Sequence, residues 1–163
     1  MTKELHVLKD ATKQEKYTLL LEQVRALVDG ETDFIANVSN IMAALKTSMG
    51  FFWVGCYFVK GNQLVLGPFQ GSVACTRIDK GKGVCGKAWE DDKIILVADV
   101  DKFPGHIACS SYSKSEIVLP ARTNSGEVFM VLDIDSDILA DFDELDKAYL
   151  QELVQLIEPL YNL

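Results

Sequence analysis

The hydrophobic period of the chain changes at Gly50, and that change limits the fold more than any other feature. Before it, Tyr17, Leu20, Leu21, Val24, Leu27 and Val28 recur three and four residues apart, the spacing of one helical face. Gly30 suits the left-handed position that ends such a helix. Thr32 or Asp33 can cap a second one, with Phe34, Ile35, Val38, Ile41, Met42 and Leu45 on its apolar side. After Gly50 the chain reads Phe51-Phe52-Trp53-Val54-Gly55-Cys56-Tyr57-Phe58-Val59, aromatic and β-branched. Lys60-Gly61-Asn62 and Gln63-Leu64-Val65-Leu66 follow, completing a hairpin signal.

The remainder alternates short elements with glycine-rich connections. Residues 67–83 read as a long loop or a short irregular strand, 84–90 as a short helix, 94–97 as a buried strand and 99–113 as a surface loop with Pro104-Gly105 in it. Residues 115–120 and 127–134 read as two more strands around the turn Arg122-Thr123-Asn124-Ser125-Gly126. Asp141 or Asp143 can cap a closing helix with Leu145, Tyr149, Leu150, Leu153, Leu156, Ile157 and Leu160 on its apolar stripe. Helices, strands and a closing helix in this order predict one α+β domain over residues 1–163, with an antiparallel sheet and helices gathered on one face. Its parts are a helical segment at 1–50, the sheet and functional loops at 51–136, and the closing helix at 141–163.

Charge narrows the partners. Sixteen Lys and Arg against 24 Asp and Glu leave a net charge of −8, which supplies too few bases to neutralise the phosphates of nucleic acid or the headgroups of an anionic membrane. No apolar run reaches the roughly 20 residues of a bilayer span, and the first ten residues lack the basic-then-apolar order of a secretory signal. A cytoplasmic location is the expectation, and there the four cysteines are thiols unless chemistry oxidises them transiently.

Those cysteines are unevenly placed. Cys56 falls in an apolar strand, whereas Cys75, Cys85 and Cys109 fall in segments rich in glycine, serine and charge. Cys109 stands three residues after His106 among turn residues that expose it, so it is either a reactive thiolate in need of a nearby cation or a buried structural thiol. Cys75 or Cys85 can condense with an oxidised Cys109, and the difference in loop entropy, about 0.4 kcal/mol, is too small to choose between them. A zinc site of Cys75, Cys85, His106 and Cys109 is the alternative, against which stands the lack of a short Cys-x₂₋₄-Cys pair.

Glu116, Asp133 and Asp135 interrupt apolar strands, where a carboxylate is costly unless it faces solvent or meets a donor or a cation. Asp133 and Asp135 share a face by strand alternation, as do Trp53 and Tyr57. The aromatic pair fits either core packing or the wall of a pocket for a small cation. Gly81-Lys82-Gly83-Val84-Cys85-Gly86 matches neither nucleotide-binding spacing and reads as a turn into the short helix.

Six blocks in order carry a resemblance: Gly67-Pro68-Phe69-Gln70-Gly71, Ala74-Cys75-Thr76-Arg77-Ile78, Gly81 to Gly86, Phe103-Pro104-Gly105-His106-Ile107-Ala108-Cys109, Ser113-Lys114-Ser115-Glu116-Ile117-Val118 and Leu132-Asp133-Ile134-Asp135-Ser136. From about Phe52 to the last helix the chain resembles the free methionine-(R)-sulfoxide reductases, enzymes of the GAF fold. The resemblance implies a central antiparallel sheet flanked by helices, with a ligand pocket on its other face. By the same resemblance Cys109 is the catalytic cysteine, Cys75 the main resolving cysteine and Cys85 a third motif cysteine able to join a disulfide. Trp53 and Tyr57 form the aromatic pocket, and Glu116, Asp133 and Asp135 are the acidic groups around the substrate, with Glu116 also a catalytic proton donor.

It further implies free methionine sulfoxide as substrate, thioredoxin or a similar dithiol as reductant, no metal or organic cofactor, and a place in defence against oxidative stress. A homodimer is compatible with the resemblance, the first helix being its candidate surface. The competing expectation is a non-enzymatic GAF module that senses a small ligand, because a fold alone does not settle function.

Overall fold

Thr12 supplies the start signal of the first helix, α1 (Lys13–Val28). Its hydroxyl accepts from the Glu15 amide while the Glu15 carboxylate accepts from the Thr12 amide, a reciprocal cap. The structure, a computed structural model, describes residues 4–161. Residues 4–12 form no helix, because the apolar three-and-four spacing begins only at Tyr17; the expected helical segment thus starts at Lys13. The parts of that segment and of the closing helix that fall on residues 1–3 and 162–163 lie outside the described residues. Asp33, rather than Thr32, caps α2 (Phe34–Met49) by accepting from the Ala36 amide at 2.8 Å. Gly50 ends it at φ +73°, a conformation that lets its amide reach the Lys46 carbonyl.

Strands β1 (Trp53–Lys60) and β2 (Gln63–Gln70) form the expected hairpin. β2 runs on through Gly67-Pro68, where the sequence suggests a long loop or a short irregular strand. Two features allow this. A Cβ on Gly67 would lie 2.5 Å from the Phe58 ring, so glycine is required by close packing inside a strand. β3 (Arg77–Asp79) pairs with β2 only from Gln63 to Val65, so Pro68 sits beyond the paired stretch, where a missing amide hydrogen costs no ladder bond. The same reasoning extends the strand read at 115–120: it passes through Pro120 to Arg122, and its outer neighbour covers only Glu116 to Val118.

The remaining elements are α3 (Gly83–Asp91), β4 (Ile95–Val97), a 3₁₀ turn at Val100–Lys102, β5 (Ser115–Arg122), β6 (Val128–Ser136) and α4 (Glu144–Tyr161). Asp143 caps α4, accepting from the amides of Leu145 and Asp146. The six strands lie in the order β3-β2-β1-β6-β5-β4, every neighbouring pair antiparallel.

Alternation sorts the strands onto two faces. Val54, Cys56, Ile117, Leu119, Leu132 and Ile134 point to the side covered by α1, α2 and α4 and form the main core with Leu20, Val24, Ile41, Leu45, Leu153 and Ile157. Trp53, Tyr57, Val118 and Val131 point to the opposite side, where α3 and its flanking loops build a second cluster around Val84, Ala88 and Trp89. A buried polar node fastens the helical layer: the Asp146 carboxylate accepts from the Tyr17 hydroxyl at 2.7 Å, from Lys13 Nζ at 2.6 Å and from the Asp143 amide at 2.9 Å, joining α1 to α4. Among the described residues no helix is long and apolar enough to cross a membrane.

Candidate active site

Register, more than proximity in sequence, assembles the acids. β1 pairs with β6 so that Trp53 faces Asp135 and Gly55 faces Asp133, and β6 pairs with β5 so that Asp135 faces Glu116 and Asp133 faces Val118. One row of the sheet therefore reads Trp53, Asp135, Glu116 across three strands, with Asp133 and Tyr57 on the same face in the rows beside it. A slip of one residue in β6 would bury both aspartates in the main core.

The face forms the floor of a pocket roofed by the first turn of α3 and the loops around residues 72–75 and 106–113. Trp53, Tyr57, Cys85, Cys109, Glu116, Asp133 and Asp135 all line it. Cys75 is joined to Cys109 by a disulfide, with their Cα atoms 5.5 Å apart. Cys109 is exposed and Cys75 half-buried, so the disulfide lies on the pocket rim. The structure thus answers the choice that loop entropy left open: Cys75, not Cys85, is the partner of Cys109. It also removes two sulfurs from the four-ligand zinc alternative.

Cys85 is a free thiol, buried at the start of α3, with its Sγ 3.9 Å from Glu116 Oε1. Burial first, then the charges of Asp133 and Glu116, push its pKa well above the ordinary thiol value. Such a sulfur is a poor nucleophile. Cys56 lies in the main core on the far side of the sheet, where burial alone pushes its pKa to about 12.

The aromatic wall is built by glycines as much as by rings. Trp53 stacks on Phe69, with centroids 5.5 Å apart, and lies 6.3 Å from Tyr57. Its indole passes over Gly55 and Gly71, and a Cβ at either would come within 2.6 Å of the ring. The indole N–H donates to the Ser72 carbonyl at 2.9 Å, which fixes the ring edge against the cysteine loop.

The three carboxylates are short of positive charge. Glu116 and Asp133 are buried and Asp135 half-buried. Burial is the first cause raising all three pKa values well above the ordinary range, and mutual repulsion adds to it: Asp135 acts on Glu116, Glu116 on Asp133, and Asp133 on Asp135. Hydrogen bonds among Glu116, Asp133 and Cys85 offset part of the rise on Glu116. The Ser113 hydroxyl bonds to Asp135. Among the described residues the one basic side chain within 4 Å of these carboxylates is His106, whose Nε2 lies 3.6 Å from Glu116 Oε2. The sequence places His106 three residues before Cys109; in the structure its imidazole lies beside Glu116. Asp133 Oδ1 has no hydrogen-bond partner. A cluster of this kind can protonate a bound oxygen or accept a bound cation.

No local sequence signal gives Ser113 or the two supporting glycines a role. The parity of Ser113 with respect to Ser115 and the spacing of Gly55 from Trp53 are visible in the sequence, but what each touches depends on the long connections.

Residues 30–159 match the family model of the GAF domain. The chain is 54% identical over 159 residues to GAF domain-containing protein A of Dictyostelium discoideum, covering 97% of this chain and 99% of that protein. It is 42% identical over 153 residues to the free methionine-R-sulfoxide reductase of Saccharomyces cerevisiae, covering 89% of this chain and 85% of the yeast protein. The X-ray structure of free methionine-R-sulfoxide reductase from Neisseria meningitidis in complex with its substrate superposes with a TM-score of 0.95 at 47% identity, covering 99% of this chain and 96% of that one. The chain belongs to the GAF domain family and, within it, to the oxidoreductase group of the free methionine-R-sulfoxide reductases.

Proposed function

We propose that this protein reduces free L-methionine (R)-sulfoxide to methionine with Cys109 as nucleophile and Cys75 as resolving thiol. The observation that carries this reading is the Cys75–Cys109 disulfide on the rim of a pocket whose floor is acidic and whose wall is aromatic.

The chemistry follows from the residues. A carboxyl group whose pKa is raised keeps its proton to higher pH than an exposed one and so can serve as an acid; burial, with the charge of Asp135 beside it, shifts Glu116 in that direction. Proton donation from Glu116 to the sulfoxide oxygen makes the substrate sulfur electrophilic. The Cys109 thiolate attacks, the oxygen is transferred to Cys109 as a sulfenic acid, and methionine leaves reduced by two electrons. The Cys75 thiol then attacks Cys109, releasing water and forming the disulfide. A thioredoxin-type dithiol restores both thiols by exchange and is itself oxidised. The electrons come from cysteine, so turnover calls for neither metal nor organic cofactor.

Asp133 and Asp135 suit the substrate ammonium group, and Trp53 with Tyr57 its methyl sulfinyl end. A peptide-bound residue lacks that ammonium and would leave the acids buried and unpaired, which is the physical basis of selection for the free amino acid. A thiol cycle of this kind belongs in a reducing compartment, consistent with a cytoplasmic enzyme that answers oxidative stress. Methionine release is the test, followed from each epimer of free and peptide-bound methionine sulfoxide with dithiothreitol as reductant. The free R epimer is the expected substrate. Equal turnover of the peptide-bound form, or none of any form, would overturn the proposal.

A further inference from the structure

Three potential ligand atoms converge at the pocket floor without serving the thiol cycle together: Cys85 Sγ, a Glu116 oxygen and an Asp133 oxygen, all within 4.8 Å of one another. Each residue is at least nine-tenths buried, at 4%, 6% and 6% exposure. An acidic cluster alone would mean little. Here a second observation points to a ligand, since Asp133 Oδ1 is buried with no hydrogen-bond partner at all, a condition that natural structures rarely leave uncompensated.

We propose that Cys85, Glu116 and Asp133 form a binding site for a thiophilic divalent cation, Zn²⁺ above all, at the floor of the pocket. The geometry is close to what such an ion needs. With zinc–sulfur bonds of about 2.3 Å and zinc–oxygen bonds of about 2.1 Å, tetrahedral sulfur–oxygen edges are roughly 3.5 Å. Cys85 Sγ and Glu116 Oε1 are 3.9 Å apart, and no pair in the trio exceeds 4.8 Å, so small side-chain movements bring the three atoms onto one ion. Binding forms a metal–sulfur bond and two metal–oxygen bonds, while the thiol proton and the proton held on Glu116 pass to solvent. Two carboxylates and a thiolate also settle the kind of ion. Sulfur selects zinc and its softer neighbours, whereas magnesium and calcium prefer sites made wholly of oxygen. Water completes the coordination.

The site overlaps the groups assigned above to the substrate ammonium and to proton donation, so a bound ion and free methionine exclude one another. This second consequence rests on the proposed function; the binding itself does not. Zinc would then act as a brake on the reductase, occupying Glu116 in place of a proton.

The experiment uses the full chain in its Cys75–Cys109 disulfide form, in which those two sulfurs cannot ligate. Cd²⁺ titration should produce the ultraviolet thiolate-to-metal absorption with one ion per chain, and Zn²⁺ should displace the Cd²⁺. The band should be lost in Cys85→Ser, weakened in Asp133→Asn and retained in Cys56→Ser, with circular dichroism showing each variant folded. Should Cys85→Ser not fold, Cys85→Ala and Glu116→Gln carry the same test. No band in the native sequence, or a band that survives removal of Cys85, overturns the site. Free methionine should raise the apparent dissociation constant of the metal in proportion to its concentration. Zn²⁺ binding without methionine competition would keep the metal site and count against the substrate assignment. Methionine binding without metal binding would do the reverse.

Discussion

The Tyr57 hydroxyl donates a hydrogen bond to the backbone carbonyl of Cys75 at 3.0 Å. A residue of the sheet floor thus holds the loop that presents the resolving sulfur. Burial is the first cause pushing the Tyr57 pKa far above its ordinary value, so the phenol remains a donor throughout the working pH range. Tyr57→Phe keeps the ring against Trp53 and deletes this one bond, worth about 1 kcal/mol. On the proposed cycle, disulfide formation after a single turnover should slow by up to roughly fivefold, while the yield of methionine in that turnover stays near one per chain. Trapping the sulfenic acid with dimedone in a time course checks it. Unchanged resolution would show that the Cys75 loop holds its place without Tyr57.

The cysteines should separate cleanly. Cys109→Ser should abolish methionine release under every reductant. Cys75→Ser should release about one methionine per chain with thioredoxin-coupled reductant and stop, and continue slowly with a small thiol that can reach an exposed sulfenic acid. Cys85→Ser should still form the Cys75–Cys109 disulfide, because the sulfur it removes is buried and bonded to Glu116 rather than to either partner. Quantitative thiol counting before and after one turnover distinguishes the three. Disulfide loss in Cys85→Ser would return it to the resolving pathway.

Charge repulsion on the pocket floor has a pH signature with a fixed sign. The native carboxyls of Glu116, Asp133 and Asp135 titrate above their unfolded values. Between an ordinary carboxylate pKa of about 4 and the raised values, the native protein holds more protons than the unfolded chain. Stability from these groups is therefore full at the acidic end, falls as pH rises through that window and levels off above it. A cationic ligand works in the opposite direction, since ammonium binds ionised carboxylates. The affinity for methionine should rise with pH across the same window. Asp133→Asn should flatten both trends. Calorimetry at several pH values checks the binding arm, and an affinity that falls with rising pH would contradict the role given to the acids.

Much of this was legible in the residues. The helical faces of α1, α2 and α4 were visible because their apolar spacing is strict, and Asp133 with Asp135 were readable as neighbours on one face from parity alone. The six blocks carried the pairing of Cys75 with Cys109 through resemblance. Local signals failed where tertiary packing overrode them. Gly67-Pro68 and Pro120 look like strand breakers, yet each lies where one edge of its strand is uncovered. That Glu116 stands opposite Asp135 depends on the β5–β6 register, and the pairing of His106 with Glu116 depends on the path of a long loop. Neither is encoded in the spacing of the residues concerned.

Asp146 should matter to stability and not to chemistry. Its side chain has no exposure and receives hydrogen bonds from Tyr17, Lys13 and the Asp143 amide. Partial burial is the largest single effect on the Lys13 pKa and lowers it, but the hydrogen bond and charge of Asp146, with the charges of Asp143 and Asp141, together outweigh it and leave the pKa raised. Asp146→Ala would strand the buried Tyr17 hydroxyl, while Lys13, one-third exposed, can turn to water. The expected cost is about 3 kcal/mol, or roughly 6 to 12 °C in midpoint for a domain of this size. Tyr17→Phe should cost less, because Asp146 keeps its other donors. Thermal unfolding of the two variants checks the ordering, and an equal loss would place the weight on the Tyr17 bond alone.

Gly71 sets the position of the indole. At φ +141° it adopts a backbone conformation that side chains disfavour, and a Cβ there would sit 2.5 Å from Trp53 Cδ1. Gly71→Ala must therefore shift either the loop or the ring. The Trp53 N–H bond to the Ser72 carbonyl ties the two together, so displacing one also moves the chain toward Cys75. On the proposed function, KM should rise through a deformed aromatic wall and resolution should slow through the displaced loop. The far core is untouched, so the thermal midpoint should change by less than for Asp146→Ala. Gly55→Ala tests the wall from beneath, where a Cβ would lie 2.3 Å from the far edge of the same ring and 2.6 Å from Phe69 Cβ. It should raise KM and slow disulfide formation less than Gly71→Ala does, since it presses on the ring edge away from the N–H that holds Ser72 and leaves the loop backbone itself in place. Equal effects of both variants on resolution would show that the ring, and not the loop, governs access of Cys75 to Cys109.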